Sequence, residues 1–129
     1  MTKELMSKAA IALASARLLL DAKDSDGATN RAYYAMFDAA TAALQWAGVA
    51  ASENPPKTHS GLIGSFGRNL VQTGRLAAEL GRSLNRVHEL RLTADYLAEP
   101  VPSDKAKWAI EEAQTFVAAI HDLLDRATT

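Results

Sequence analysis

Apolar residues return every three or four positions along almost the whole chain, the spacing of amphipathic helices. Between about Lys3 and Ala22, Leu5, Ala9, Leu13, Ala16 and Leu20 line up on one helical face. Asp24-Ser-Asp-Gly27 reads as a turn, with Asp24 or Ser25 as the N-cap of a second helix from about Asp26 to Trp46. The inward stripe predicted for that helix is Asn30, Tyr33 or Tyr34, Phe37, Thr41 and Leu44, and Gly48 offers its C-terminal stop. From Gly48 to His59 the chain turns to Gly, Ser, Asn and Pro, and Pro55-Pro56 excludes a helix there. A third helix starts at Thr58 or Ser60 and turns Leu62, Ile63, Phe66, Leu70 and Val71 inward. Gly61, Gly64 and Gly67 lie three apart on one side. Each costs about 0.5–1 kcal/mol against alanine within a helix, so the stripe suggests a close helix–helix approach.

Thr73-Gly74 breaks the pattern, and a fourth helix follows from about Arg75 to Tyr96. Its face is Leu76, Leu80, Leu84, Val87, Leu90 or Arg91, and Ala94. Glu99-Pro-Val-Pro-Ser103 ends it, and Ser103 or Asp104 caps a fifth helix to about Arg126, with Trp108, Ala113, Phe116, Ile120 and Leu124 inward. No strand signal exceeds four residues. The expected architecture is all-α, an up-and-down bundle of four to five helices forming a single domain over 1–129.

Composition narrows the function. The 129 residues are 48% hydrophobic and 22% charged, which suits one globular core. Fourteen Lys plus Arg against fifteen Asp plus Glu leave a net charge of −1, so a generally basic nucleic-acid binder is disfavoured while a local arginine cluster is not. Without cysteine there are no disulfides, thiolate nucleophiles or Cys-ligated zinc. Three scattered histidines make a weak basis for a metal site, and neither a metal nor a cofactor is expected. The most apolar early stretch, Ala9 to Leu20, is short and carries Arg17, so neither a membrane span nor a secretory segment is expected. The expected location is cytoplasmic.

Three stretches carry candidate chemistry. Asn30-Arg-Ala-Tyr-Tyr-Ala-Met-Phe37 puts an amide, a guanidinium and three rings within about two turns. Arg31 and Tyr34 are candidates for holding phosphate, against the plainer reading of an aromatic core beside a surface arginine. Lys57-Thr-His-Ser-Gly61 opens a helix, where free amides and the dipole favour an anion and Lys57 and His59 add side chains. Thr58 or Ser60 serves equally as a plain N-cap. In the fourth helix Arg91 and Asp95 stand one turn apart, with Tyr96 beside them. An exposed ion pair is the ordinary explanation. A buried pair would leave the remaining guanidinium donors for a phosphate.

Together with Phe66-Gly67, the lead-in Asp26, Ala28 and Arg31, Arg91-Leu-Thr-Ala-Asp-Tyr96, and an alanine-rich last helix containing Phe116-Val117, these stretches resemble a prokaryotic HEPN-domain family. The likeness covers nearly the whole chain with its motifs in order. It implies a helical bundle that dimerises, encoded beside a minimal nucleotidyltransferase in a toxin–antitoxin-like pair, and able to bind RNA or nucleotide. Many such proteins are metal-independent ribonucleases that use Arg-x4-6-His at the dimer interface. In some pairs the partner silences the toxin by transferring AMP to a nearby tyrosine. Arg91, Asp95 and Tyr96 are the candidate catalytic residues on this likeness, facing Arg31 and Tyr34. The chain departs from the motif, because Asp95 and Tyr96 stand where a histidine is expected after Arg91. Arg82 and His88 satisfy an Arg-x5-His count upstream. A chain lacking that histidine would lack a general base for an RNA 2′-hydroxyl, unless the Asp95 pKa were raised against the pull of Arg91. Three readings follow: a binding subunit of a two-gene module, a metal-independent ribonuclease, or a helical interaction module.

Overall fold

A computed structural model of the chain describes residues 2–49 and 58–128. Five helices carry it: α1 (Thr2–Asp21), α2 (Ser25–Trp46), α3 (His59–Phe66), α4 (Ala78–Tyr96) and α5 (Ser103–Thr128), with a π-helical turn, Gly67–Val71, continuing α3. No strand occurs among the described residues, so the chain is all-α.

The central element is α2, which packs most extensively on α1, then on α5 and α4, and touches α3. Enclosure on several sides explains its composition. Eleven of its residues are buried, seven of them alanines, and small side chains let neighbouring helix axes approach. The single stripe expected from the sequence is therefore too narrow. Tyr33 and Leu44 are buried, but Asn30, Phe37 and Thr41 are only half-buried, while Ala28, Ala32, Ala35, Met36 and Ala39 supply the core. Asp24 caps α2 by accepting from the Gly27 N–H at 2.8 Å. Asp26 accepts from the Val101 N–H at 2.7 Å, which ties the α4–α5 connection to the start of α2.

Three other expectations are corrected. Trp108 is 37% exposed, because Ala106, Ala109, Ile110 and Ala113 form the inner face of α5 with Phe116 and Ile120. The first regular turn of α4 begins at Ala78 rather than Arg75. Arg75 instead lies over the Trp46 ring at 5.1 Å, and Leu76 turns into the core from the connection. At Gly64 and Gly67 the stripe marks no close helix approach among the described residues: a Cβ at Gly64 would meet only the end of the Arg68 side chain, and one at Gly67 would meet nothing within 4 Å. What holds α3 down is apolar, with Leu62, Phe66 and Leu70 buried and the Phe66 ring 5.2 Å from that of Phe116. That packing fixes where His59, at the opposite end of α3, meets α2 and α4.

Candidate functional site

Tyr33 and Tyr34 are consecutive on α2, so their rings diverge by about 100° around the helix. Tyr33 is fully buried and points at α3 and α4. Its hydroxyl meets His59 Nδ1 at 2.7 Å. Thr58 positions that imidazole by capping α3, accepting from the Gly61 N–H at 2.9 Å. The same N–H is thereby no longer free for an anion at this helix start. Lys57, the charge expected to assist there, lies outside the described residues.

From α4, His88 and Arg91 reach the same place, one helical turn apart. The His88 ring stacks on His59 with centroids 5.6 Å apart and lies 5.1 Å from the Tyr33 ring. The Arg91 guanidinium sits over both tyrosines, 5.2 Å from the Tyr33 ring and 5.4 Å from the Tyr34 ring. Arg31 approaches the Tyr34 ring at 5.6 Å. Arg31, Tyr34, His59 and Arg91 are thus brought together as a cluster spanning α2, α3 and α4.

Asp95 and Tyr96 stand apart from its centre. Arg91 Nη2 lies 3.7 Å from Asp95 Oδ2, and the Asp95 side chain is 48% exposed, so the pair is a loose, half-solvated contact. Tyr96, at the end of α4, is 82% exposed. Arg82 pairs with Glu79 on the exposed side of α4, which separates it from His88. Tyr33 and His88 are the cluster members that the motif reading left outside its candidate set. The signal for His88 was its i, i+3 spacing to Arg91, which puts both on one helical face.

The electrostatics favour neutral imidazoles. Burial lowers the His59 pKa, and Arg91 lowers it further. Burial likewise lowers His88, with His59 and Arg91 adding to it and Glu89 opposing. The Tyr33 phenol is held well above its ordinary value by burial, against the pull of Arg91. It therefore keeps its proton at neutral pH. With that phenol as donor, His59 accepts at Nδ1 and carries its own proton on Nε2. His88 Nδ1, Arg31 Nε and Arg91 Nε are buried without a hydrogen-bond partner. Buried polar groups are generally paired, and three of the five unpaired buried side-chain atoms among the described residues fall in this cluster. Two guanidiniums can hold a phosphodiester, and the neutral His88 imidazole can take a proton from a neighbouring hydroxyl. Among the described residues no group of three His, Asp or Glu side chains is placed to hold a metal ion. No helix is long and apolar enough to cross a membrane.

The family model described as HEPN domain matches residues 2–123, which includes every residue of the cluster. A "UPF0332 protein" of Thermotoga maritima is 37% identical over 115 residues, covering 88% of this chain and 83% of the relative. A UPF0332 protein of Gloeobacter violaceus is 39% identical over 94 residues, 73% of this chain and 71% of the relative. A protein of Methanocaldococcus jannaschii named "Putative toxin MJ0605" is 34% identical over 112 residues, 87% of this chain and 80% of the relative.

Proposed function

Since the chain belongs to the HEPN domain family, we propose that it is the HEPN subunit of a toxin–antitoxin-like module and that its α2–α3–α4 cluster binds RNA through a backbone phosphate. The module rests on family membership and on the toxin designation of the Methanocaldococcus jannaschii relative. The RNA site rests on one observation above all: Arg91 lies across two tyrosine rings with its Nε buried and unpaired, beside Arg31 in the same condition. A guanidinium so fixed loses little freedom when it grips a phosphate. By the same family resemblance the subunit is a homodimer, pairs with a minimal nucleotidyltransferase encoded nearby, and works in the cytoplasm.

A second reading, a metal-independent ribonuclease, draws on the stacked His59–His88 pair. One neutral imidazole takes the 2′-hydroxyl proton as that oxygen attacks phosphorus, and Arg91 stabilises the added negative charge. The 5′-oxygen departs as the P–O5′ bond breaks, receiving a proton from that imidazolium or from water. A 2′,3′-cyclic phosphate and a 5′-hydroxyl remain. The general base absent after Arg91 in sequence is thus supplied by His88, from the turn before it, while His59, its Nδ1 occupied by the Tyr33 hydroxyl, stacks on that ring and positions it.

The test is incubation of the purified chain with end-labelled single-stranded RNA in the presence of chelator, wild type beside Arg91→Ala. Retention of RNA by the wild type, weakened in the variant, supports the binding subunit. Cyclic-phosphate ends formed by the wild type alone support the ribonuclease. A folded wild type that neither binds nor cleaves RNA overturns both. Light scattering of the chain alone, then of the chain co-expressed with the neighbouring nucleotidyltransferase, tests the assembly.

A further inference from the structure

A groove of about 370 Å³ runs between α1 and α2, outside the cluster but sharing two residues with it. Lys8, Ile11 and Ser15 line one wall, and Arg31, Tyr34 and Asp38 the other. Its size is that of a small-molecule site. Tyr34 is the common boundary, since it lines the groove while its ring lies 5.4 Å from the Arg91 guanidinium. A strand whose phosphate is gripped by Arg91 therefore has this groove within reach of its next nucleotide.

The lining suits a base more than another ligand. Tyr34 contributes an aromatic side chain, and Ile11, on the α1 wall, is 67% exposed, an apolar side chain that the fold leaves largely open. Asp38 is half-buried beside Lys8 and Arg31, yet forms no ion pair within 4 Å among the described residues. An unclaimed carboxylate in a polar groove accepts two parallel N–H donors, and the Watson–Crick edge of guanine presents N1–H and N2–H side by side. Adenine and cytosine present one amino group beside an acceptor, which the carboxylate repels. Uracil presents a single N–H between two carbonyls. Lys8 and Arg31 line the groove beside Asp38 and add the positive charge that attracts a phosphate.

We infer that the α1–α2 groove is a nucleotide subsite that selects guanine next to the phosphate held by Arg91, with Tyr34 and Ile11 as its apolar walls and Asp38 as the acceptor that reads the base. This deepens the RNA-binding reading and rests on it.

Fluorescence anisotropy with labelled pentaribonucleotides UUXUU, X being U, A, C, G or inosine, tests it on the full chain. UUGUU binds about tenfold more tightly than UUUUU, the usual worth of a bidentate base contact, and inosine, which lacks the 2-amino group, falls between them. Asp38→Asn, nearly isosteric, brings the ratio of the two affinities close to one, with its fold checked by circular dichroism. Equal affinity for all five pentamers in a wild type that binds them overturns the guanine subsite and leaves the RNA-binding reading standing. So does a guanine preference that survives Asp38→Asn. Failure of every pentamer to bind, or binding indifferent to Arg91→Ala, overturns the parent reading and the subsite together.

Discussion

The imidazoles of His59 and His88 stack face on, centroids 5.6 Å apart and planes 24° from parallel, with the Arg91 guanidinium nearby over Tyr33. One ring comes from the first turn of α3 and the other from the middle of α4. Two protonated imidazoles so placed would repel each other and Arg91, so the fold is built for the uncharged pair.

That relationship makes stability depend on pH. Both histidines have folded-state pKa values below the unfolded value of about 6.5. The unfolded chain therefore binds more protons in the acid range, and stability rises with pH there. The contribution is complete above about pH 6.5 and is lost as pH falls through the lowered folded values. Thermal melts between pH 8 and 5 should show Tm falling on the acid side. His88→Gln should flatten that slope, and an unchanged slope would mean that His88 is not held neutral.

Tyr33→Phe removes one hydroxyl from the buried ring and strands His59 Nδ1. The loss of one intramolecular hydrogen bond should cost about 1 kcal/mol in a urea melt. A second readout concerns the proton itself. Imidazole nitrogen chemical shifts should show the Nε2–H tautomer of His59 in the wild type and a mixture in Tyr33→Phe. A wild type found with its proton on Nδ1 would reverse the direction of the hydrogen bond.

Arg91→Ala and Asp95→Asn together separate ligand binding from folding. Loss of charge-assisted bonds to a phosphate should weaken RNA about 10- to 100-fold. Stability should fall by about 1–2 kcal/mol, because the Arg91 side chain is only 14% exposed and lies over two tyrosine rings, whereas Asp95→Asn, at the loose and half-solvated end of the ion pair, should cost under about 1 kcal/mol. The interaction-module reading demands the reverse pattern, a large fall in melting temperature with RNA binding unaffected. Melting curves and RNA titrations on the same two variants decide between them.

Helix number, order and most boundaries were legible because apolar residues recur at helical spacing throughout, most strongly in α5, and because Asp24 and Thr58 were each one of two cap candidates at their helix starts. The interior of α2 was not, because alanine is compatible with both a core and a surface, and only enclosure by α1, α4 and α5 turns its alanines inward. Trp108 was misplaced through its size: a large apolar residue draws the predicted stripe to itself, whereas the small Ala106, Ala109 and Ala113 set the true face. At the site, Arg31, Tyr34, His59 and Arg91 could be named from their local patterns. The convergence of His59 and His88 could not, since it depends on how α3 docks between α2 and α4. A motif that expects its histidine after the arginine also directs attention away from one that precedes it.

The glycines of the α3 region give a last, independent check on packing. Gly67 is helical at φ −60° and ψ −48°, and a Cβ there meets no atom within 4 Å. Gly67→Ala should therefore restrict the unfolded chain without crowding the folded one, stabilising by about 0.4–1 kcal/mol and raising Tm by a few degrees. Gly74 has equal space but φ +80°, so Gly74→Ala should destabilise through backbone strain alone. Measured side by side, the two variants share a side-chain change and differ chiefly in backbone conformation. If Gly67→Ala destabilised as much as Gly74→Ala, the open space beside Gly67 would have to be filled in solution, and the close helix approach suggested by the Gly61, Gly64, Gly67 spacing would be made with another molecule.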